Sequence, residues 1–209
     1  MIDNLELIKP LLNFEKSGDF YMLYVLKRKK DQPEGEKDNH QSVRTIKTYC
    51  IDSIEYLEKR YDEIKTLCEV FKARAYIHVQ KQNHFDVGME MIKTIIDRVQ
   101  SGQPNQKNVF DSVVGQMKTL EKRWIVDIDT KDKTELKKIK EFIYYLRPMK
   151  FTNLDTGEME DKIEAVIPTK SGYHLITKKF DVLEFKKRYP ELDIQKKNPT
   201  LLFLPNSLI

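Results

Sequence analysis

The segment Arg123-Trp124-Ile125-Val126-Asp127-Ile128-Asp129-Thr130 constrains this chain most, because an apolar run passes there into two carboxylates two positions apart. Successive side chains of a β-strand point to opposite faces, so Asp127 and Asp129 share one face while Val126 and Ile128 share the other. Two anions held side by side repel unless a cation sits between them, and a divalent ion bound by carboxylate oxygens is the common solution. The pattern puts a metal site at the end of a core strand and points to nucleotide or phosphoryl chemistry. Alone the pair is weak evidence. Such triplets arise by chance in turns and at solvated strand ends, and they also occur in sugar-nucleotide transferases and nucleases.

The rest of the chain reads as interleaved strands and helices. Phe20 to Lys27, rich in aromatic and branched residues, predicts a strand, and Val43 to Ile51 a second one. Between them, residues 28–42 are polar and contain Pro33 and Gly35, which predicts a flexible loop at the tip of a hairpin. Asp52 and Glu55 match a capping box, and Ile54, Leu57, Tyr61, Ile64, Leu67 and Cys68 give helical periodicity up to Phe71. Ala73 to Val79 alternates as a strand, and Val87 to Val99 reads as a helix with Met91, Ile95 and Val99 on one side. Ser101 to Asn108 is the best linker. Beyond it the sequence predicts helices over Val109–Leu120, Thr134–Leu146 and Val182–Arg188. Strands are expected at the Asp-x-Asp segment, Ile163–Ile167, Tyr173–Thr177 and Thr200–Leu204, with a loop at Asn153–Gly157. This order gives an α+β class in two lobes, residues 1–105 as an N-terminal αβ unit and residues 106–209 as a C-terminal lobe carrying the site.

With 209 residues the chain has enough length for a sizeable core. A formal charge of +4, from 37 basic against 33 acidic residues, permits a nucleic-acid partner without requiring one. Cys50 and Cys68 both lie in apolar patterns and are expected as free thiols, and no Cys/His spacing suits zinc. The N-terminal residues lack the features of a signal peptide, and no stretch approaches the roughly 18 apolar residues that would cross a membrane. The expectation is a soluble cytoplasmic protein with no membrane partner.

Two further elements accompany the Asp-x-Asp strand. In Ile167-Pro-Thr-Lys-Ser-Gly-Tyr-His-Leu-Ile-Thr177 two apolar strands flank Lys170, Ser171 and Gly172, a turn whose N–H groups, hydroxyl and ammonium suit a phosphate. His174 follows at the mouth of the next strand, within reach of the same anion. Leu192-Asp193-Ile194 could add a third carboxylate if it lies beside the Asp-x-Asp strand. Each has a plain alternative: an ordinary polar hairpin tip for the first, and a loop carboxylate after the Tyr189-Pro190 break for the second.

In this order, Val126-Asp127-Ile128-Asp129, then Gly172-Tyr173-His174, then Leu192-Asp193, the chain resembles the archaeo-eukaryotic primase superfamily, including the primase-polymerases of phages and plasmids. Phe203-Leu204-Pro205-Asn206-Ser207 is similar to a Leu-Pro-Gly-Ser ending found in some members, with Asn206 in the glycine's position. The resemblance implies an N-terminal αβ lobe and a C-terminal lobe like an RNA-recognition-motif sheet. It also implies Mg2+ or Mn2+ ions held by Asp127, Asp129 and Asp193, and an incoming nucleoside triphosphate cradled by Lys170, Ser171, Gly172 and His174. The implied activity is DNA-dependent primase or polymerase-type nucleotidyl transfer in phage or mobile-element replication. Single-stranded DNA would be the template, and a helicase or other replication protein a partner.

The chain departs from the family in three respects. No arginine occurs in Leu201–Leu204, with Lys196 and Lys197 the nearest basic substitutes; no helicase or accessory helical domain is expected beyond the site; and these residues contain no zinc module. Two alternatives therefore stand beside the primase reading. One is a catalytically degenerate, nucleic-acid-binding replication accessory; the other is an unrelated Asp-x-Asp sugar-nucleotide transferase or nuclease, in which His174 and Asp193 should lie far from Asp127. For template contacts, Arg44, Lys47 and Arg74 are the leading candidates, with Lys27, Arg28 and Lys81 beside them. His40, His78 and His84 are assigned no role.

Overall fold

The computed structural model describes residues 1–32, 43–103, 105, 107–117, 122–148, 151–152 and 159–209. The greater part of the expected 28–42 loop, the 153–157 loop and the predicted helix end at 118–120 lie outside these residues.

The protein is α+β. The first long hairpin, β2 (Asp19–Arg28) with β3 (Val43–Ile51), forms where the aromatic and branched runs predict it. Helix α2 (Ile54–Phe71) follows at the expected bounds, but Ser53 caps it, accepting a hydrogen bond from the Tyr56 N–H. Asp52, the expected cap, lies one residue too early. Leu57, Tyr61, Ile64 and Cys68 of α2 pack on Tyr21, Leu23, Val25, Tyr49 and Ile51, one face of the hairpin. The opposite face, through Phe20 and Met22, is covered by α3 (His84–Gln100) and α4 (Val109–Gln116). Helix α3 begins three residues earlier than the periodicity predicts. Asn83 caps it, and His84 stacks on Phe20 at 4.1 Å.

Short strand β1 (Ile2–Asp3), β4 (Arg74–Ile77), β5 (Gln82–Asn83) and β12 (Thr200–Leu204) complete the first sheet, ordered β1-β12-β4-β2-β3 with β5 on β2. The second sheet is antiparallel, ordered β11 (Asp193–Gln195), β6 (Trp124–Ile128), β10 (Tyr173–Thr177), β9 (Ile163–Pro168). Two short strands, β7 (Phe151–Thr152) and β8 (Met159–Glu160), pair with each other. Helices α5 (Lys133–Tyr145) and α6 (Val182–Arg188) cover the outer face of the second sheet, where Val126, Ile128 and Leu175 meet Ile139, Ile143 and Phe185. The short α1 (Leu5–Ile8) contributes Ile8 to the main core.

The division at 105/106 does not follow the sheets, because β12 leaves the C-terminal half and inserts between β1 and β4. Every residue of Thr200–Leu204 is buried, with β4 on one side along its length and β1 on the other at Phe203 and Leu204. The two sheets also share one core. Ile125, Ile167 and Ile176, from the inner face of the second sheet, join Leu202, Phe203 and Ile77 of the first. Both cysteines are free, as expected. Among the described residues no helix is long and apolar enough to cross a membrane.

Candidate functional site

Strand β6 alternates as its sequence dictates. Val126 and Ile128 enter the core under α5 and α6, while Ile125 and Asp127 share the inner face. Antiparallel register extends that face sideways: Asp127 lies directly opposite Asp193 of β11 on one side and His174 of β10 on the other. Residues directly opposite in an antiparallel pair point to the same side. Asp193, Asp127 and His174 therefore form one row across three strands. It begins where the apolar inner pair Ile125 and Ile176 ends.

Asp127 and His174 of this row open into a cleft of about 410 Å³ between the two sheets, a volume within the range of small-molecule pockets. The second sheet contributes Asp127, Asp129, His174 and the hairpin tip Thr169, Lys170 and Ser171; the first contributes Leu26, Arg28, Arg74, Tyr76 and Leu201. One wall is acidic and the other basic.

His174 bridges the walls. Its Nδ1 lies 2.9 Å from Thr200 Oγ1 of β12, and its Nε2 lies 3.5 Å from Asp127 Oδ1. Burial, then the Arg28 charge, push its pKa down to about 4, opposed by Asp129. The ring is thus neutral near pH 7, with one N–H. A carboxylate only accepts, so the proton belongs on Nε2, and the Thr200 hydroxyl donates to Nδ1. The residue carries a neutral N–H directed at Asp127 on the cleft wall.

Gly172 has a steric role. A Cβ there would lie 1.9 Å from the Ile128 carbonyl oxygen and 2.7 Å from Thr130 N, so only glycine lets the hairpin tip lie against the end of β6. Its N–H is taken by Thr169 Oγ1 at 3.0 Å and its carbonyl by the Thr169 N–H at 2.8 Å. Gly172 therefore shapes the expected phosphate nest without offering its own N–H. Lys170 Nζ donates to the Leu208 carbonyl at 2.6 Å while still lining the cleft.

The basic residues separate clearly. Arg74, expected to contact nucleic acid, lines the cleft but is buried, with a bidentate pair to Asp31 at 2.7 and 2.6 Å. Asp31 belongs to the segment expected as flexible loop, but residues 29–31 form a 3-10 turn. Lys47 pairs with Glu63 of α2 and lies over the Tyr49 ring, on the helix-covered face of the sheet. Arg44 is exposed on the face of β3 opposite Val43, a cleft residue. Lys196 lies over the Trp124 ring and Lys197 caps the α4 carbonyls of Gly115 and Gln116, so neither takes the missing arginine's part. Arg28, from the other sheet, lies on the basic wall instead.

The expected third ligand, Asp193, is in register with Asp127 but exposed, and it is not among the residues lining the cleft. The Gln195 amide donates to Asp193 Oδ2 at 3.1 Å and to Asp127 Oδ2 at 3.4 Å, bridging the two carboxylates. Among the described residues no three His, Cys, Asp or Glu side chains gather into a metal-binding group. The donor chemistry of Asp127 and Asp129 nonetheless fits Mg2+ or Mn2+, because a small hard ion of this kind uses one or two carboxylates, water and substrate phosphate. Tyr76, Gln195, Asn198 and Thr200 escaped the sequence reading. Only Tyr76 carried a signal, its two-residue spacing from Arg74 on one strand. Comparison with known proteins finds no protein family, curated protein or solved structure that matches the chain.

Proposed function

We propose that this cleft binds a metal–nucleoside triphosphate and performs nucleotidyl transfer, in a small two-lobed protein of the primase-polymerase kind acting on a DNA template. The observation that carries the reading is the in-register pair Asp127–His174, with Asp129 beside it, facing Arg28 and Arg74 across one cleft. An acidic wall for the cation opposite a basic wall for the phosphates is the charge pattern a metal–triphosphate requires. The reading of an unrelated Asp-x-Asp enzyme expects His174 and Asp193 far from Asp127; His174 lies beside Asp127 in the cleft, and Asp193 is in register with Asp127 but outside the cleft lining.

Asp127 and Asp129 would hold the divalent ion, which when bound lowers the pKa of the attacking hydroxyl and offsets charge on the leaving pyrophosphate. The His174 Nε2–H, the Ser171 hydroxyl and Lys170 would orient the triphosphate oxygens. Tyr76 and Leu201 offer an aromatic and an aliphatic surface on the opposite wall. The work of the chain is positioning and charge neutralisation. A second reading, nucleotide or nucleic-acid binding without catalysis, is favoured by one observation: Gln195 joins Asp127 to Asp193 where a bridging cation would lie.

A primer-extension and de novo priming assay on single-stranded template, with Mg2+ or Mn2+, separates the two. Catalysis predicts products from the wild type that Asp127→Ala/Asp129→Ala loses by at least about a thousandfold. Equal nucleotide binding without product in either metal would move the assignment to the binding reading.

A further inference from the structure

Helix α3 buries one face, through Val87, Met91 and Ile95, against the first sheet and α4. A second apolar face has no covering element among the described residues. Phe85, Met89, Ile92, Ile96 and Val99 are each between 44 % and 73 % exposed, and they recur at alternating spacings of four and three. That is the a/d spacing of a coiled-coil seam, running about 21 Å along the helix. An ordinary surface helix carries one apolar stripe toward its core and a polar opposite face, so a second stripe of this length marks a docking surface.

We propose that this stripe pairs with the same helix of a second copy, antiparallel, about a two-fold axis. The charges flanking the seam choose both partner and direction. With Met89 and Ile96 as a residues and Phe85, Ile92 and Val99 as d residues, the e positions are Asp86, Lys93 and Gln100, and the g positions are Gly88 and Ile95. An antiparallel pair matches a with d and brings e beside e. Layers of Met89 with Ile92 and of Phe85 with Ile96 then set Asp86 of each copy beside Lys93 of the other, forming two reciprocal ion pairs. The g side brings Gly88 beside Ile95, and a Cβ at Gly88 would meet nothing within 4 Å, leaving room for close approach. A parallel pair would set Gly88 against Lys93 and Ile95 against Gln100, with no charge match. A two-fold arrangement suits a self-complementary patch of this kind. Four layers on one helix make a small interface, so association is weaker than about 1 μM. The inference is independent of the chemistry in the cleft.

Sedimentation velocity over about 1 to 300 μM protein tests it. The wild type should pass from monomer to dimer across that range. Ile92→Asp, at the centre of the seam, should stay monomeric, with far-UV circular dichroism showing the fold retained. Asp86→Lys and Lys93→Asp should each weaken association about tenfold, because each sets like charges together twice. The double swap should restore wild-type affinity. A wild type monomeric throughout would overturn the proposal, and so would a double swap as weak as either single change.

Discussion

The acidic wall of the cleft is built from neighbouring strands in register, whereas the basic wall joins residues far apart in sequence. Asp127 and His174 meet because antiparallel strands align them, and Asp129 follows by alternation, while Asp193 shares the register but lies outside the cleft lining. Arg74 reaches the opposite wall with its charge already matched by Asp31, 43 positions earlier, in a pair from which water is excluded. One wall is thus a product of local periodicity, and the other of long-range packing. The acidic wall presents groups to the cleft, while much of the basic wall is committed to holding the first sheet and the 29–31 turn together.

The largest stability effect should fall on that committed pair. Asp31→Ala leaves a guanidinium buried without its carboxylate, which costs about 3–5 kcal/mol. Urea unfolding should show this as a lower midpoint. A loss below about 1 kcal/mol would mean that the pair behaves as a surface one.

The acidic wall responds instead to pH. Burial holds the pKa of His174 near 4, and that of His78, which contacts the Tyr24 ring edge-on, near 4 as well. An unfolded histidine titrates near pH 6.5, so between that value and 4 the unfolded chain binds more protons than the folded one. Stability from these two groups is complete above about pH 6.5 and falls as the pH drops toward 4, by on the order of a few kcal/mol in all. Denaturation at pH 7.5 and 5 should show the decline, and His78→Gln should remove part of it. A pH-independent midpoint across this window would contradict the neutral assignment.

The smallest effect joins the walls. Thr200→Val keeps the shape but removes the hydroxyl that donates to His174 Nδ1, leaving a buried acceptor unsatisfied at about 1–3 kcal/mol. Nitrogen-15 spectra should show wild-type His174 protonated on Nε2, with that preference relaxed in Thr200→Val and restored in Thr200→Ser. An unchanged tautomer in Thr200→Val would show that Asp127 alone orients the ring.

The same contrast explains what the sequence disclosed. Strands β3, β10 and β12 and helix α6 begin and end where the patterns predict, because polar or breaker residues bound each apolar or branched run. The face shared by Asp127, Asp129 and His174 follows from period-two alternation once the strands pair. Pairing partners were not legible. Nothing local tells β12 to return to the first sheet, or Asp31 to reach Arg74. Gly172 reads as part of a phosphate-binding turn, although its role is to let two backbones touch, a condition that only the hairpin's packing on β6 creates. Lys47 reads as a candidate template contact because its partner, Glu63, lies on the next element and is not legible from the strand alone.

The most direct test of the bipolar cleft is calorimetric titration of Mn2+, with and without a nucleoside triphosphate, into the wild type, Asp127→Asn and Arg28→Ala. The account predicts that the wild type binds metal and triphosphate with positive cooperativity. Asp127→Asn should lose metal binding by about a hundredfold, and Arg28→Ala should lose mainly the triphosphate. Metal binding unchanged in Asp127→Asn, with triphosphate affinity unchanged in Arg28→Ala, would contradict it.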